Sequence, residues 1–420
     1  MLRRRDPVRT PTVLISGAGI AGPALAYWLN AQGRQTTVVE RFDELREDGQ
    51  NIDVRGAGRE VARRMGIEDA IRAASTGETG TEFVDATGAP LARFAAGTSD
   101  SDGATAELEI LRGQLSRIII DRTREDTEYL FGDRIVALDD TEDGVTVTFA
   151  HGPTRTFDLV VLAEGLRSRT RSLVFPEIDA VRELDFYIAY LTIPRTGDDT
   201  DLWRWHSAGR GRSVTLRPDN LGTIRATLAF LSDVRGLDAL DHRALVTILR
   251  RTFADVGWEA PRVLAALDDA PLYFDAVGQA RMPSWSKGRV ALIGDAAHCS
   301  SPLSGMSTSL ALTGAYILAG ELAAHPHRTA FARYETLMRP YVDQAQKLPP
   351  GTPRILNPRS RAGLATMNTA LRIVGSPAAA RLGGLASKWF TPPADAIHLP
   401  TYPGRACYKP GERSRRTGRR

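Results

Sequence analysis

The stretch Thr12 to Asn30, TVLISGAGIAGPALAYWLN, constrains this chain more than any other. It reads as a short apolar strand over 12–16, a turn carrying Gly17, Gly19 and Gly22, and an amphipathic helix running to about Gly33. Gly17 permits the tight turn, Gly19 lets backbone approach a pyrophosphate with no Cβ in the way, and Gly22 lets helix and strand pack closely. A pyrophosphate placed there meets unpaired N–H groups and the positive end of the helix dipole. The next strand, over 35–40 (QTTVVE), ends in Glu40. That is near the usual spacing of about 20 residues from the turn, where a carboxylate suits a ribose diol. The glycines alone are a weak signal; strand, glycines, helix, strand and terminal acid in that order are the context a dinucleotide site requires.

Composition matters here for what it excludes. The 420 residues are 42% hydrophobic, enough for a large core and two or three domains. The formal charge of +4 suggests a nucleic-acid partner until it is located. Residues 405–420 carry net +6 and residues 1–10 net +3, so the body carries about −5 and the basic character belongs to the ends. The tail 401–420 reads as a disordered solubilising extension. Arg3, Arg4 and Arg5 before an apolar stretch resemble a twin-arginine leader, but cleavage there would destroy the glycine turn, so they read as a solvated leader. No run approaches the roughly 18 apolar residues of a membrane span. Two cysteines, Cys299 and Cys407, without CxxC spacing, suit a reducing cytoplasm, and no metal-ligating cluster stands out.

Along the chain, 49–55 reads as a strand or extended loop and about 59–74 as a helix entered through Gly56-Ala-Gly58. Residues 82–94 form a hairpin around Thr87-Gly88. A strand at 108–111 runs into a helix from Arg112 to about Arg124, and strands follow at 129–131, 135–138, 145–149 and 158–163. Segments 186–193, 202–206, 213–216 and 223–231 alternate with period two and predict an antiparallel sheet with one buried face. Helices over about 242–256 and 262–267 cover part of it. Trp203 and Trp205 share one face, Arg204 and His206 the other. The tryptophan pair fits either a flat aromatic pocket or ordinary core packing. A strand over 290–294 then returns to the parallel pattern, followed by a long helix from about Ser304 to Ala323. The implied units are 11–175 and 281–345 for the nucleotide domain, 176–280 for a second domain that the 80–95 hairpin joins, and 346–400 for a C-terminal helical bridge.

Three segments carry a family resemblance: Gly17-Ala-Gly19-Ile-Ala-Gly22; Asp158-Leu-Val-Val-Leu-Ala-Glu164-Gly165-Leu-Arg-Ser168; and Gly288-Arg-Val-Ala-Leu-Ile-Gly294-Asp295-Ala-Ala-His298, with Pro302 and Gly305 after it. In order and spacing they resemble the motifs of single-component FAD-dependent aromatic hydroxylases over roughly residues 12–345. The branch most resembled is the tetracycline-modifying flavin monooxygenases, which have counterparts of Gly49-Gln-Asn-Ile-Asp53 and of the helix start at Arg112. The resemblance implies an α/β fold: a Rossmann-like FAD-binding domain with a parallel sheet and a β-hairpin arm, interleaved with an antiparallel-sheet substrate domain and closed by a C-terminal helix.

It also implies a tightly bound FAD and a transient NADPH or NADH, since only one fingerprint is present. Cofactor contacts would come from Gly17, Gly19, Gly22, Glu40, Arg41, Arg46, Asp53, Arg112, Gly165, Gly294, Asp295, Pro302, Gly305, Met306 and Ser307. Substrate contacts would come from Trp203, Trp205 and Arg212, although Arg212 also reads as an exposed strand-start arginine. In the implied reaction the nicotinamide reduces FAD, O2 adds at flavin C4a, and the hydroperoxide oxygen passes to an electron-rich carbon of a planar aromatic or polyketide-like molecule. A non-oxygenating flavoenzyme (oxidase or redox-neutral cyclase) and a non-catalytic FAD- or ligand-binding protein are the alternatives. Three positions depart from the family pattern: Glu164 for Asp, Ser307 for Gly and Ser309 for Asn. If position 307 needs a positive φ, serine there costs on the order of 1 kcal/mol.

Overall fold

The structure is a computed structural model that describes residues 10–46, 49–96, 107–349, 351–376 and 394–402. The N-terminal arginines, most of the basic tail, Cys407 and residues 377–393 of the helical bridge expected over 346–400 lie outside the described residues.

The chain opens with β1 (Thr12–Ser16), α1 (Ala21–Ala31) and β2 (Gln35–Glu40), the expected βαβ beginning. β3 (Asn51–Asp53) leads into α2 (Gly56–Arg64) and α3 (Glu68–Ala73). The single helix expected over 59–74 is thus two, because Gly66 takes a left-handed φ of 67° between them. The hairpin β4 (Gly80–Val84) and β5 (Pro90–Ala95) is followed by β6 (Glu109–Leu111), which pairs antiparallel with β3 and runs straight into α4 (Arg112–Asp121). After β7 (Thr127–Phe131), β8 (Ile135–Asp140), β9 (Val145–Phe149) and β10 (Arg155–Phe157) come β11 (Leu159–Leu162) and α5 (Arg169–Val174).

The second half contains β12 (Val181–Pro194), β13 (Trp203–Gly209), β14 (Arg212–Pro218) and β15 (Thr223–Leu231), all at the expected places. α6 (His242–Phe253) and α7 (Ala260–Ala265) precede β16 (Leu272–Ala280), a strand without a sequence signal. Its period-two pattern is erased because Phe274 packs toward the helices while Tyr273 and Asp275 line the opposite face, so neither face is simply polar. β17 (Ser286–Lys287), β18 (Val290–Leu292), α8 (Asp295–His298), α9 (Ser307–Ala324), α10 (His327–Ala345) and α11 (Arg361–Val374) complete the chain.

Two sheets organise these elements. One has the order β17-β18-β11-β1-β2-β7 and is parallel apart from the β17–β18 edge. Its central strands are apolar on both faces, as burial on both sides demands: Val13, Leu14, Ile15, Val160, Val161 and Leu292 are all fully buried. α9, apolar all round, is buried along nearly its whole length. The other sheet has the order β16-β12-β15-β14-β13-β4-β5, antiparallel except for the β13–β4 pair. One of its faces packs on α6 and α7 through Val214, Leu216, Leu228, Leu249 and Phe253. The other face looks toward the loop before α9, where Leu303 packs with Ile188, Ala229 and Tyr190. No helix among the described residues is long and apolar enough to cross a membrane.

His298 belongs to this core and not to any chemistry. Its ring lies 5.0 Å from that of Trp285, and its Nε2 sits 3.2 Å from the Tyr334 hydroxyl. Burial pushes the imidazole down to about 3, so the folded protein holds it neutral. The unfolded chain protonates it near pH 6.5, so its contribution to stability is present above that pH and is lost as pH falls from 6.5 toward 3, by about 1.4 kcal/mol per pH unit. Replacing His298 by Leu should therefore shrink the drop in Tm between pH 7 and pH 5 measured by calorimetry. An acid limb as steep as the parent's would contradict this assignment.

Candidate cofactor and substrate site

The glycine turn is held by its own backbone. The Gly17 N–H donates to Val39 O at 2.7 Å, and a Cβ at Gly17 would meet Ala163 O at 2.4 Å. A Cβ at Gly22 would fall 2.0 Å from Gly17 O, whereas one at Gly19 would find no atom within 4 Å. Two glycines thus serve packing, and the third borders open space. The N-terminus of α1 has no side-chain cap, which leaves its N–H groups for an anion. Glu40 also fastens the loop: its Oε2 accepts from the Ala18 N–H at 2.9 Å.

Three arginines converge on the mouth of this cleft. Arg46 lies over Phe42 at 4.9 Å and over Tyr273 at 5.5 Å, and Arg41 covers Phe42 at 4.7 Å. Arg112, at the start of α4, is pulled below its ordinary value by burial and by Arg46 beside it. Among the described residues none of these three has an ion-pair partner, so an anionic ligand would relieve their mutual repulsion. Asp295 stands at the start of α8, behind Gly294. Burial pushes its carboxyl up, while hydrogen bonds from Cys299 and Ser307 and the charge of Arg112 hold it down.

The departures from the family pattern resolve locally. Glu164 uses both oxygens internally, accepting from Ser16 and Thr170 hydroxyls at 2.5 Å and from Ser168 at 2.7 Å, so the extra methylene pins β11 to β1 and α5. Ser307 is the first residue of α9 and carries no positive φ; left-handed backbone in this loop falls at Ser301 (φ 80°) and Gly305 (φ 63°). The strain expected at 307 is absent. Ser309 exchanges hydrogen bonds with the Arg55 backbone, donating to its O at 2.9 Å, and clamps α9 to the start of α2. The N-terminus of α9 has no side-chain cap, and Pro302, Gly305 and Met306 shape the turn that presents it.

The open face of the antiparallel sheet is aromatic on β13 and β4. Trp203 and Trp205 have ring centroids 5.1 Å apart, and Trp205 stacks on Phe83 at 5.9 Å. Arg217 lies 4.2 Å over Trp203 and is clamped by Glu78 and Glu109. Burial pushes the Glu109 carboxyl up against the pull of Arg217, and Glu109 also accepts from Thr76 and Asn51. Asp275 faces the same side, its carboxyl pushed up to about 6 by burial despite Arg167. Among the described residues, side-chain polar atoms of β3, β13 and β14 are buried without a hydrogen-bond partner: Nε1 of Trp203 and Trp205, Ser213 Oγ, Asn51 Oδ1 and Asp53 Oδ1. α11 lies over the outer edge, with Leu364 against Gly209 and Gly375 against Ala92.

Arg212 does not join this wall, a correction to the expected substrate contact. It alternates onto the helix-covered face, is buried and not exposed, and ties β14 to α6 by donating to Thr252 O at 2.6 Å and to Asp255 Oδ1 at 2.5 Å. Arg217, Glu78, Glu109 and Tyr273 are the neighbours sequence reading missed. For Arg217 the signal was its phase, two residues beyond Thr215 and on the tryptophan face. A separate cleft of about 300 Å³ lined by Arg281, Met282, Trp285 and Arg339 lies behind α8 and contributes none of these residues.

The sequence model of the FAD binding domain family matches residues 10–347. A flavin-dependent monooxygenase of Legionella longbeachae is 38% identical over 80% of this chain and 87% of its own length. The flavin-dependent monooxygenase eupH of a Phoma species is 34% identical over 93% of this chain and 97% of its own. Among solved structures, the tetracycline destructase Tet(51) superposes with a TM-score of 0.75 at 31% identity, covering 94% of this chain and 99% of that one. The uncapped helix ends, the unpaired arginines and the glycine opened at position 19 all fit FAD, and the chain belongs to the class A FAD-dependent monooxygenase family.

Proposed function

We propose that this protein uses NAD(P)H and O2 to hydroxylate a planar aromatic or polyketide-like small molecule, and that it works in the reducing cytoplasm, where Cys299 stays a thiol. The observation that carries the reading is the open face of the antiparallel sheet, which bears the Trp203–Trp205 pair and, through Ile188 and Ala229, packs on Leu303 in the loop before the uncapped N-terminus of α9. The names of the relatives point the same way, since they are monooxygenases and one is a tetracycline destructase.

Bound FAD would supply the electron uptake from the nicotinamide and the transfer of oxygen to substrate. The chain's own residues hold and orient it. The Gly17–Gly22 loop and the start of α1 take the pyrophosphate, Glu40 and Arg41 the adenosine end, and Arg46 and Arg112 the middle. Gly165, Gly294 and Asp295 border the hydroxyl-bearing chain, and Asp53, Pro302, Gly305, Met306 and Ser307 the ring end. The α9 N–H groups stabilise negative charge that develops there. Trp203 and Trp205 flank the substrate, and the clamped Arg217–Glu78–Glu109 group backs them and keeps water out. With a single fingerprint, the nicotinamide coenzyme visits a surface groove. A non-catalytic role loses its main support now that position 307 is unstrained, and a non-oxygenating flavoenzyme is the remaining alternative.

Turnover under labelled oxygen tests the reading: with a planar phenolic substrate that stimulates NADPH oxidation, one 18O atom from O2 should appear in the product. Stimulated oxidation with no label in any product would point to the non-oxygenating alternative. The two glycines give a second test. Gly19→Ala should leave the Tm of FAD-free protein unchanged and weaken FAD binding at least about tenfold, the scale of one displaced charge-assisted contact. Gly22→Ala should lower both Tm and FAD affinity. Equal behaviour of the two variants would contradict the division of roles.

A further inference from the structure

Three charged side chains are buried where the antiparallel sheet meets the segment that leads into α4. Arg217 on β14 donates through Nε to Glu78 at 2.8 Å and through a terminal nitrogen to Glu109, and the two glutamate side chains are 0% and 3% exposed. Taking such ions out of water largely offsets their mutual attraction, and apolar or neutral residues of similar volume commonly give a fold at least as stable. What a buried ion group does supply is register, because sliding the two surfaces past each other leaves a charge unpaired. The contacts around it are directional as well. Asn51 Nδ2 donates both to Glu109 Oε1 at 2.6 Å and to Pro218 O at 3.0 Å, and Thr76 donates to Glu109. Asn220, in the β14–β15 turn, donates to Ala74 O and to Gln114 Oε1 on α4, each at 3.1 Å.

This group reaches the site from two sides. Glu109 lies on β6 directly opposite Asp53 on β3, and β6 runs straight into α4 at Arg112. Gly49, just before β3, leaves so little room that a Cβ there would stand 3.1 Å from Arg112 Cβ. On the other side, the Arg217 guanidinium lies 4.2 Å over the ring of Trp203. One buried ion group therefore ties Asp53 and Arg112 to the strand beside the tryptophans.

We propose that Arg217, Glu78 and Glu109 are positioning residues: they key the β14–β15 hairpin to β3 and β6, and so fix where Asp53 and Arg112 meet FAD, without being needed for the stability of the fold. The proposal rests on the placement of Asp53 and Arg112 against the cofactor. None of the three touches the cofactor; they act through the two residues that do.

The test separates fold from position. A triple variant with Arg217→Met, Glu78→Gln and Glu109→Gln removes all three charges together, and its FAD-free Tm should equal or exceed the parent's. Its FAD dissociation constant, read by equilibrium dialysis, should nevertheless rise at least about tenfold, the scale on which supporting residues act through a ligand's direct contacts. The visible circular dichroism of the flavin it retains at saturating FAD should also differ from the parent's, a signature that loss of stability alone does not move. A triple variant with parental FAD affinity and dichroism would overturn the proposal. So would one that melts earlier or fails to fold, because the charges would then serve stability. Arg112→Met is the control: parental FAD affinity in that variant would refute the cofactor placement and this proposal with it, whereas weakened binding there beside parental binding in the triple variant would refute this proposal alone. Neither readout involves NADPH, oxygen or substrate, so the hydroxylation reading is tested separately by the labelled-oxygen experiment.

Discussion

The rest of the structure hangs on one close approach, that of α1 to the end of β1. With the Gly22 Cα set where a Cβ would lie 2.0 Å from Gly17 O, the helix starts almost on top of the strand it follows. That contact aims the uncapped end of α1 across the carboxyl ends of β1 and β2, the place where open α/β sheets bind ligands. It also fixes what can lie beside it. The Gly294 position would bring a Cβ to 2.8 Å from Ala21 Cβ, so β18 and α8 meet the same turn, and Asp295 arrives at the cleft from the far end of the chain. Residues some 270 positions apart in sequence share one site because two glycines allow it.

The second half of the molecule uses a different economy of charge. At the cofactor end, Arg41, Arg46 and Arg112 lack acidic partners among the described residues, and burial with Arg46 beside it disfavours the charge of Arg112 until an anion arrives. On the tryptophan face Arg217 and Arg225 are paired with Glu78, Glu109 and Asp219.

Much of this was legible in the sequence. Strand β1, the glycines, β2 and Glu40 are local features, with consequences set within about 30 residues. The antiparallel strands β12 to β15 were legible because one face is buried and the other is not, so alternation survives. What was hidden depends on which face a residue takes or on contacts across the chain. β16 escaped because both its faces are occupied. Arg212 and Arg217 look alike in sequence, yet the pleat sends one to Asp255 and the other beneath Trp203. The φ of Ser307 depends on where α9 begins, and the turn at Ser301 and Gly305 absorbs the strain before the helix starts. Glu109 and Glu78 carry no motif at all; only the folded sheet brings them to the same arginine.

The central claim is that this architecture holds a flavin that a nicotinamide can reduce and oxygen can reoxidise. The most direct measurement is the visible absorption spectrum of the purified protein, reconstituted with FAD if necessary, during anaerobic addition of NADPH or NADH and then exposure to air. A flavin spectrum that bleaches with the coenzyme and returns with oxygen is the predicted result. A protein that stays colourless after reconstitution, or whose bound flavin ignores both coenzymes, would contradict the account.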